Sequence, residues 1–249
     1  MRRGRQRFKH HNNHQEHTFK QEGNIVRIEQ PGYTVKKDVV IVPRNKHQDE
    51  YLDYLEDENN SIVFAVGPAG TGKTMIACQY AVKLFKARQI DKIIITRPAV
   101  SVDENHGYLP GSLVEKMQPW TRPIFDIFEQ YWGKKQIEWM VEEGVIEICP
   151  LAYMRGRNFN RALIIGDELQ NATPNQLKML LTRIAEGSRM ILTGDLAQHD
   201  RGYEENGLKD FLVRLESCPS KMIRVCRFDY IDVVRHPAVK EVLKVYGED

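Results

Sequence analysis

The chain of 249 residues contains only four cysteines, and no two of them form a CxxC pair. Cysteines that act as disulfide partners or zinc ligands usually occur in sets with characteristic spacings. We therefore predict reduced thiols that are mostly buried, and no structural zinc. The four residues are Cys78, Cys149, Cys218 and Cys226.

The sequence also lacks any apolar run near the roughly 20 residues that cross a bilayer. Its basic N-terminus has no apolar stretch of the kind found in secretory signals. We expect a cytoplasmic protein with no membrane partner. Hydrophobic residues make up 41% of the chain and charged residues 28%, which is typical of a globular protein. The length suits one large α/β domain with an appendage.

Charge is unevenly distributed, although the net charge is only +2. In the first twenty residues, Glu16 is the only acid. This basic tail, predicted to span residues 1–22, could neutralise nucleic-acid phosphates, or it could be a solvated, disordered segment. Its basic residues and histidines are Arg2, Arg3, Arg5, Arg7, Lys9, Lys20, His10, His11, His14 and His17.

Hydrophobic periodicity predicts the order of elements. Segments 24–28 and 39–42 are expected to form a hairpin within a small N-terminal β segment, 23–45. A helix at 47–57 leads into the main domain, 46–249. Short apolar strands are predicted at 61–66, 92–96, 162–165, 190–193 and 222–225, with a helix at 75–85. Such strands, separated by helices, predict an α/β fold with a mainly parallel sheet covered on both faces.

A long insertion is expected between the second and third of these strands, at about residues 101–160. It contains an aromatic-rich helical stretch at 118–131 and a possible strand at 145–149. Surface additions of this kind usually carry substrate contacts.

The octapeptide GPAGTGKT at residues 67–74 fits the P-loop pattern GxxxxGK[ST] between a predicted strand and a predicted helix. In this motif backbone N–H groups wrap the phosphates of ATP, the lysine binds the β- and γ-phosphates, and the last hydroxyl binds Mg²⁺. We therefore predict ATP and Mg²⁺ as ligands. The residues of this cradle are Gly67, Pro68, Ala69, Gly70, Thr71, Gly72, Lys73 and Thr74.

A nucleoside triphosphatase also needs carboxylates at the end of a strand beside the P-loop. Asp167 and Glu168 follow the apolar strand at 162–165. Acids are also favoured at helix N-termini, but with a P-loop upstream we interpret Asp167 as the magnesium residue and Glu168 as the general base.

A further strand ends in TGDLAQ at residues 193–198. Strand ends at the carboxyl edge of an open α/β sheet bind ligands, so Asp195 and Gln198 are candidates for sensing the γ-phosphate. Taken alone, Gly-Asp after a strand usually forms a turn.

Together these motifs resemble the PhoH family of P-loop ATPases, which are related to the motor domains of superfamily 1 helicases. The resemblance covers about residues 46–246 and implies a RecA-like P-loop NTPase fold. It rests on the segments GPAGTGKT, TRPAV, GYLPG, MRGR, GDELQNATPNQLKMLLTRI, TGDLAQ and DVVRHP. Gly166 departs from the family pattern, which usually has a bulky apolar residue before the acidic pair, and should loosen the strand end.

The resemblance also implies ligand contacts. Gln48 is similar in position to a glutamine that reads the adenine edge in helicase relatives, although a lone glutamine is often a solvated helix residue. Arg97 lies in the segment similar to one that touches single-stranded nucleic acid. Arg155, Arg157 and Arg161 extend the expected basic surface.

In helicase motors ATP is closed between two cores, whereas this chain has motifs for only one. The resemblance therefore implies a homo-oligomer, a ring of six subunits, in which an arginine from the neighbouring copy reaches the γ-phosphate. Arg235 is our first candidate and Arg183 our second, and either could instead form a surface salt bridge.

The leading functional hypothesis is an ATP-driven helicase or remodeller acting on RNA or single-stranded DNA. A nucleotide kinase would use the same P-loop, but the Asp-Glu pair and TGDLAQ argue against it. A regulatory switch, in which ATP binding changes affinity for nucleic acid or protein without unwinding, is the alternative.

Overall fold

The computed structural model describes residues 39–98, 113–198 and 205–234 and the single positions 238, 241, 242 and 245. Along the third helix it describes side chains from Trp120 onward. These residues belong to Val35–Asp249, the second of two compact units into which the chain divides.

Six parallel strands form one sheet in the order β3-β2-β4-β5-β1-β6. Their bounds are β1 Ile62–Val66, β2 Lys92–Thr96, β3 Ile146–Ile148, β4 Ala162–Gly166, β5 Arg189–Gly194 and β6 Ile223–Arg227. The predicted α/β class and the covered parallel sheet are confirmed. The tentative strand at 145–149 is the edge strand β3, so the insertion completes the sheet as well as adding surface.

Six α-helices connect or flank these strands within the described residues. They are α1 Lys46–Glu56, α2 Lys73–Lys86, α3 Leu113–Phe128, α4 Lys134–Glu142, α5 Pro174–Leu181 and α6 Gly207–Ser217. Three short 3₁₀ helices span Leu151–Tyr153, Leu169–Asn171 and Tyr230–Asp232. None of the helices in the described ranges has the length and apolar character needed to cross a bilayer.

The helix starts follow from capping residues. The Asn45 side chain accepts a hydrogen bond from the Gln48 N–H at the start of α1. At α5, Thr173 and Gln176 form a reciprocal capping box, with a proline at the first helical position. Each cap satisfies N–H groups that a helix N-terminus leaves without partners. The α5 cap follows a few residues after β4 and so fixes where the chain turns away from the sheet edge.

Helices cover both faces of the sheet. Right-handed crossovers place α2 and α3, which pack together, on one face, and α5 and α6, which also pack together, on the other. Strand residues alternate accordingly, and Phe64, Ile164 and Leu192 join the core beneath α5 and α6. On the opposite face, Trp132 packs edge-on against Phe85. This burial on both sides explains why β1 and β4 are apolar at every position.

The N-terminal β segment is not seen in the described residues. Residues 39–43 form no strand, and Val40 and Val42 are 69% and 70% exposed. A continuous apolar run predicted a strand here, but the Val40 and Val42 side chains contribute nothing to the core. The basic tail and the segment 24–28 lie outside the described residues.

Candidate active site

A cleft of about 250 Å³ opens at the carboxyl edge of the sheet. It lies where the β1–α2 loop meets the ends of β4 and β5, because parallel strands bring their carboxyl ends to the same edge. The structure therefore brings together residues that are far apart in the sequence. Those lining the cleft include Ala69, Gly70, Gly72, Lys73, Thr74, Asp167, Glu168, Asp195 and Gln198.

The β1–α2 loop has the open backbone that a phosphate cradle needs. Gly67, Gly70 and Gly72 have φ values of 146°, 84° and 85°, which favour glycine. At Gly67 a Cβ atom would lie 2.3 Å from the carbonyl oxygen of Phe228, so a side chain would separate the loop from the end of β6. Gly72 stands directly before α2, which aims the free N–H groups of the helix at the cleft.

Lys73 is the first residue of α2 and is buried, with 8% of its surface exposed. Its ammonium group donates hydrogen bonds to the carbonyl oxygens of Gly67 and Pro68, both at 2.6 Å, and lies 3.3 Å from the Thr71 hydroxyl. Thr71 in turn donates to the Pro68 carbonyl. Burial lowers the pKa of Lys73, and the nearby carboxylates Asp195, Glu168 and Asp167 oppose that shift.

Two hydroxyl groups converge on the Asp167 carboxylate. Thr74 Oγ1 donates to Asp167 Oδ1 at 2.8 Å, and Thr193 Oγ1 donates to the same oxygen at 2.5 Å. Asp167 is 8% exposed, and its backbone N–H extends the pairing of β4 with β2 through the Thr96 carbonyl. The Thr74 and Asp167 oxygens are hard ligands of the kind Mg²⁺ prefers, with the remaining positions left to phosphate and water. The residues present fit this metal.

The P-loop strand β1 and the carboxylate strand β4 are separated by β5, which pairs with both. This order matters for the site, because the intervening strand supplies the Thr193 hydroxyl to Asp167. The Gly194 carbonyl of the same strand also accepts a hydrogen bond from the Gly67 N–H.

Glu168 directly follows Asp167 and has a left-handed backbone, with φ of 53°. Two groups face its carboxylate. The Gln170 amide donates to Oε2 at 2.6 Å, and the Arg97 guanidinium lies 3.9 Å from Oε1. The same guanidinium lies 4.0 Å from Asp167 Oδ2. Arg97, predicted to contact nucleic acid, therefore also faces both carboxylates of the cleft.

The turn after β5 carries the two predicted γ-phosphate sensors. Asp195 is 7% exposed, and its Oδ1 accepts a hydrogen bond from the Ala197 N–H at 3.0 Å. Gln198 is exposed on the cleft, and its N–H donates to the Asp195 carbonyl. Both residues line the same cleft as the P-loop. The two interpretations of this segment, a turn and a γ-phosphate sensor, are compatible. The turn places Asp195 and Gln198 at the cleft.

Gln48 is not a solvated helix residue, since only 1% of its surface is exposed. Its Nε2 donates to the Thr71 carbonyl at 2.9 Å, and its Oε1 accepts from the Arg44 N–H at 2.8 Å. A Cβ atom at Gly72 would lie 2.8 Å from this amide. Gln48 therefore stabilises the P-loop through its hydrogen bond to Thr71. Its contact with adenine stays a prediction.

The predicted basic surface needs correction, because the structure does not bring its arginines together. Arg97 follows β2 at the carboxyl edge of the sheet, whereas Arg161 precedes β4 at the amino edge, about 16 Å away along a five-residue strand. Arg161 forms a bidentate ion pair with Asp91. We therefore exclude Arg161 from a surface shared with Arg97.

Arg157 is also held within the chain. Its guanidinium forms a bidentate ion pair with Glu147 of β3 and lies 4.7 Å from the Phe159 ring centroid. The hydrogen bond with Glu147 lowers the pKa of that carboxyl group. Arg155, two residues earlier, is exposed, as is Tyr153 at 63%. Arg155 remains a nucleic-acid candidate, whereas Arg157 stabilises the edge of the sheet.

The two candidate arginine fingers differ. Arg183 donates hydrogen bonds to the Met179 and Arg157 carbonyls, so its guanidinium already has acceptors in its own chain. Arg235 lies outside the described residues. Val234, its neighbour in sequence, donates its N–H to the Gly70 carbonyl at 3.0 Å. The segment that leads to Arg235 is therefore anchored on the P-loop.

Sequence reasoning missed Gln170, although it is completely buried and contacts Glu168. It also missed the site contacts of Thr193 and Arg97. Gln170 lies two residues after the acidic pair, but no spacing rule assigns that position a role. Its importance depends on the turn after β5, which comes 25 residues later in the chain.

Two solved structures resemble the chain distantly. The ATPase core of a Sulfolobus solfataricus SWI2/SNF2 protein in complex with dsDNA matches with a TM-score of 0.40 and 14% identity, over 66% of this chain and 34% of the other. The Pif1 helicase of Candida albicans matches with a TM-score of 0.35 and 13% identity, over 77% of this chain and 41% of the other. These scores are too low to carry a functional argument.

Sequence relatives are much more similar. A PhoH-like protein of Bacillus subtilis is 45% identical over 81% of this chain and 62% of the relative. A PhoH-like protein of Mycobacterium bovis is 42% identical over 83% of this chain and 58% of the relative. Protein PhoH of Escherichia coli is 40% identical, again over 83% and 58%. The chain thus spans about three fifths of the length of the curated relatives it matches.

The family model described as PhoH-like protein matches residues 40–247, which include the P-loop, the Asp-Glu pair and the TGDLAQ turn. The matched residues make up most of the chain and contain every described residue of the cleft. The chain belongs to the PhoH-like protein family.

Proposed function

We propose that this P-loop protein is a Mg²⁺-dependent ATPase that couples hydrolysis to RNA or single-stranded DNA. The observation that carries the proposal is the contact of Thr74 Oγ1 with Asp167 Oδ1 at 2.8 Å. It joins the end of the phosphate cradle to the strand that supplies the carboxylates. A glycine turn with no chemical role would not require this pairing of hydroxyl and carboxylate across the cleft.

Phosphate binding falls to the P-loop. Its backbone N–H groups and the N-terminus of α2 attract the β-phosphate. Lys73 turns its ammonium from the loop carbonyls towards the β- and γ-phosphates. The lowered pKa of Lys73 reflects a desolvated cation, and such a cation gains strongly from an anionic ligand.

Thr74 and Asp167 would hold the magnesium ion. When bound, the ion neutralises charge on the phosphate oxygens and polarises the γ-phosphate. The Thr193 hydroxyl keeps Asp167 oriented towards Thr74. Asp167 accepts both of these hydrogen bonds on Oδ1. Its Oδ2 faces the Arg97 guanidinium at 4.0 Å.

Glu168 orients the attacking water and accepts its proton. Asp195 and Gln198 line the same cleft and respond to the γ-phosphate. A base of this kind contributes roughly 10²-fold to 10⁴-fold to the rate. Its position relative to the phosphate also matters, because a misplacement of about 1 Å can cost roughly 100-fold in rate.

Arg97 supports the coupling to nucleic acid. Its side chain is 28% exposed and faces both carboxylates. A phosphate group of RNA or single-stranded DNA at the exposed side of this guanidinium would compete with Glu168 for it. Binding of the polymer would then free Glu168 to act as the base, so hydrolysis would follow occupancy of the nucleic-acid surface.

The test measures ATP hydrolysis with RNA, with single-stranded DNA and with neither, beside a strand-unwinding assay. We expect stimulation by one polymer in the parent chain, loss of that stimulation in Arg97→Ala, and full stimulation in Arg161→Ala at the opposite edge. EDTA should abolish turnover in every case. ATP binding without stimulated turnover would favour a regulatory switch, and metal-independent hydrolysis would contradict the site assignment.

A further inference from the structure

Gln170 lies in the 3₁₀ helix Leu169–Asn171, directly behind the cleft, and none of its surface is exposed. Among the described residues, its amide makes two hydrogen bonds that link the ends of different strands. Nε2 donates to Glu168 Oε2 at 2.6 Å, and Oε1 accepts from the Asp195 backbone N–H at 3.1 Å. The amide thus bridges the carboxylate after β4 and the turn after β5.

The fold leaves room for this bridge at Gly194. A Cβ atom there would lie 3.1 Å from Gln170 Oε1 and 2.5 Å from Leu208 Cδ2. A side chain at Gly194 would therefore push on the amide from one side and on α6 from the other. Because the amide is fully buried, both of its hydrogen bonds are made away from water, where losing a partner is costly.

The Glu168 carboxylate has two competing neighbours. Gln170 holds Oε2 at hydrogen-bond distance, whereas the Arg97 guanidinium faces Oε1 from 3.9 Å. The Glu168 side chain is 36% exposed, so packing alone does not fix it. Without the amide, the positive charge of Arg97 would draw the carboxylate away from the Gln170 side of the cleft.

We infer that Gln170 is a positioning residue for hydrolysis. It fixes Glu168 in the orientation that activates water and ties that orientation to the Asp195 turn, so the base and the γ-phosphate sensor move together. This inference rests on the proposed ATPase function. In this role Gln170 contacts neither the nucleotide nor the attacking water, and it acts through Glu168 and the Asp195 turn.

Two variants of Gln170 distinguish a role in positioning Glu168 from a role in folding. Gln170→Leu removes both hydrogen bonds and should lower kcat by roughly 100-fold, because small displacements of a catalytic group are costly. The Kd for ATP should stay within about threefold, since the P-loop is unchanged. Gln170→Glu keeps an acceptor for the Asp195 N–H but replaces the amide donor with a second carboxylate beside Glu168.

The pH dependence of Gln170→Glu is the decisive readout. Two carboxylates at hydrogen-bond distance share a proton, and that proton resides on the buried partner, Glu at position 170. The protonated group then donates to Glu168 as the amide does. The ratio of kcat for this variant to kcat for the parent should rise by roughly tenfold from pH 9 to pH 6. The same ratio for Gln170→Leu should not change with pH.

Gln79 offers a matched control on α2, outside the cleft, where its amide donates to the Tyr131 hydroxyl at 2.9 Å. Gln79→Leu and Gln79→Glu should leave the kcat ratio flat with pH. Parent kcat in Gln170→Leu, or a flat ratio in Gln170→Glu, would overturn the inference while leaving the ATPase intact. A parent chain that hydrolyses no ATP would overturn the proposed function and this inference with it.

Discussion

Glu168 has φ of 53°, a left-handed conformation that residues with a Cβ atom rarely adopt. Such a backbone costs on the order of 1–3 kcal/mol and persists only where the surroundings impose it. Here β4 must end, present two adjacent carboxylates to the cleft and start the 3₁₀ helix Leu169–Asn171 within a few residues. The strain at Glu168 is therefore a cost of the site's geometry.

Because of this conformation, we expect the glycine variant at residue 168 to be more stable than the alanine variant, the reverse of the order expected within a helix. Glu168→Gly should be more stable than Glu168→Ala by about 1 kcal/mol, because glycine adopts positive φ without a Cβ clash. Urea unfolding measures the difference. Glu138, exposed on α4, is the control. There Glu138→Gly should be less stable than Glu138→Ala by about 1 kcal/mol, because glycine is the poorer helix former. The same order at both positions would contradict the strain assigned to Glu168.

Some residues of the site were predictable and others were not, for a physical reason. Phosphate binding requires glycines, a lysine and a hydroxyl at fixed spacing on one loop, so residues 67–74 can be recognised from the local sequence alone. Gln170 depends on a partner 25 residues away, and Arg157 and Arg161 are held by Glu147 and Asp91. A sequence shows that an arginine is present but not that its guanidinium already has a partner.

The packing at the end of β4 accommodates Gly166. Gly166 is the last residue of the strand and pairs with Thr96 and Leu192. A Cβ atom there would lie 2.7 Å from Leu192 Cδ2 and 3.1 Å from Leu169 Cδ1. The strand end is not loosened, contrary to our expectation, because these two leucines fill the space that a side chain would take.

Gly166→Ala should therefore destabilise the fold by about 1–2 kcal/mol through overpacking. Leu192→Val shortens the neighbouring side chain, so the double variant should be more stable than the sum of the single effects predicts, by about 1 kcal/mol. Leu163→Val is the control, since Leu163 points to the other face of the sheet. Its effect should add to that of Gly166→Ala. The free energies of unfolding are measured by chemical denaturation. If the effects of Gly166→Ala and Leu192→Val simply add, then the new methyl group and the Leu192 side chain do not compete for space.

The sheet was easier to predict than its surroundings. Strands buried on both faces need apolar residues at every position, and β1, β2, β4 and β5 fall within about two residues of their predicted bounds. Residues 39–42 have similar composition but no strand neighbour among the described residues. Strand pairing is a tertiary property, so a short apolar run alone predicts too many strands.

The chain contains one P-loop, and we propose that another copy supplies the second face of the ATP site, with an arginine, in a ring of six subunits. The anchoring of Val234 to Gly70 brings the segment before Arg235 to the P-loop of its own chain. Whether Arg235 acts within its chain or on the neighbour is decided by complementation.

Mixing Arg235→Ala chains with Lys73→Ala chains should restore some ATP hydrolysis if the arginine acts between copies. Mixed interfaces would then combine one intact P-loop with one intact arginine, whereas each variant alone should lose most of its activity. Sedimentation with ATP should show an oligomer under the same conditions. A mixture no more active than the sum of its parts, or a fully active monomer, would contradict an arginine supplied by the neighbour.

The proposed role of Glu168 as the water-activating base of a P-loop ATPase can be tested by comparing Glu168→Gln with the parent chain. Both ATP binding and single-turnover hydrolysis should be measured with Mg²⁺ present. We predict that Glu168→Gln binds ATP within about threefold of the parent Kd, because Lys73, Thr74 and Asp167 are intact. Its hydrolysis rate should fall by at least roughly 100-fold. Hydrolysis by Glu168→Gln at the parent rate would show that Glu168 is not the base.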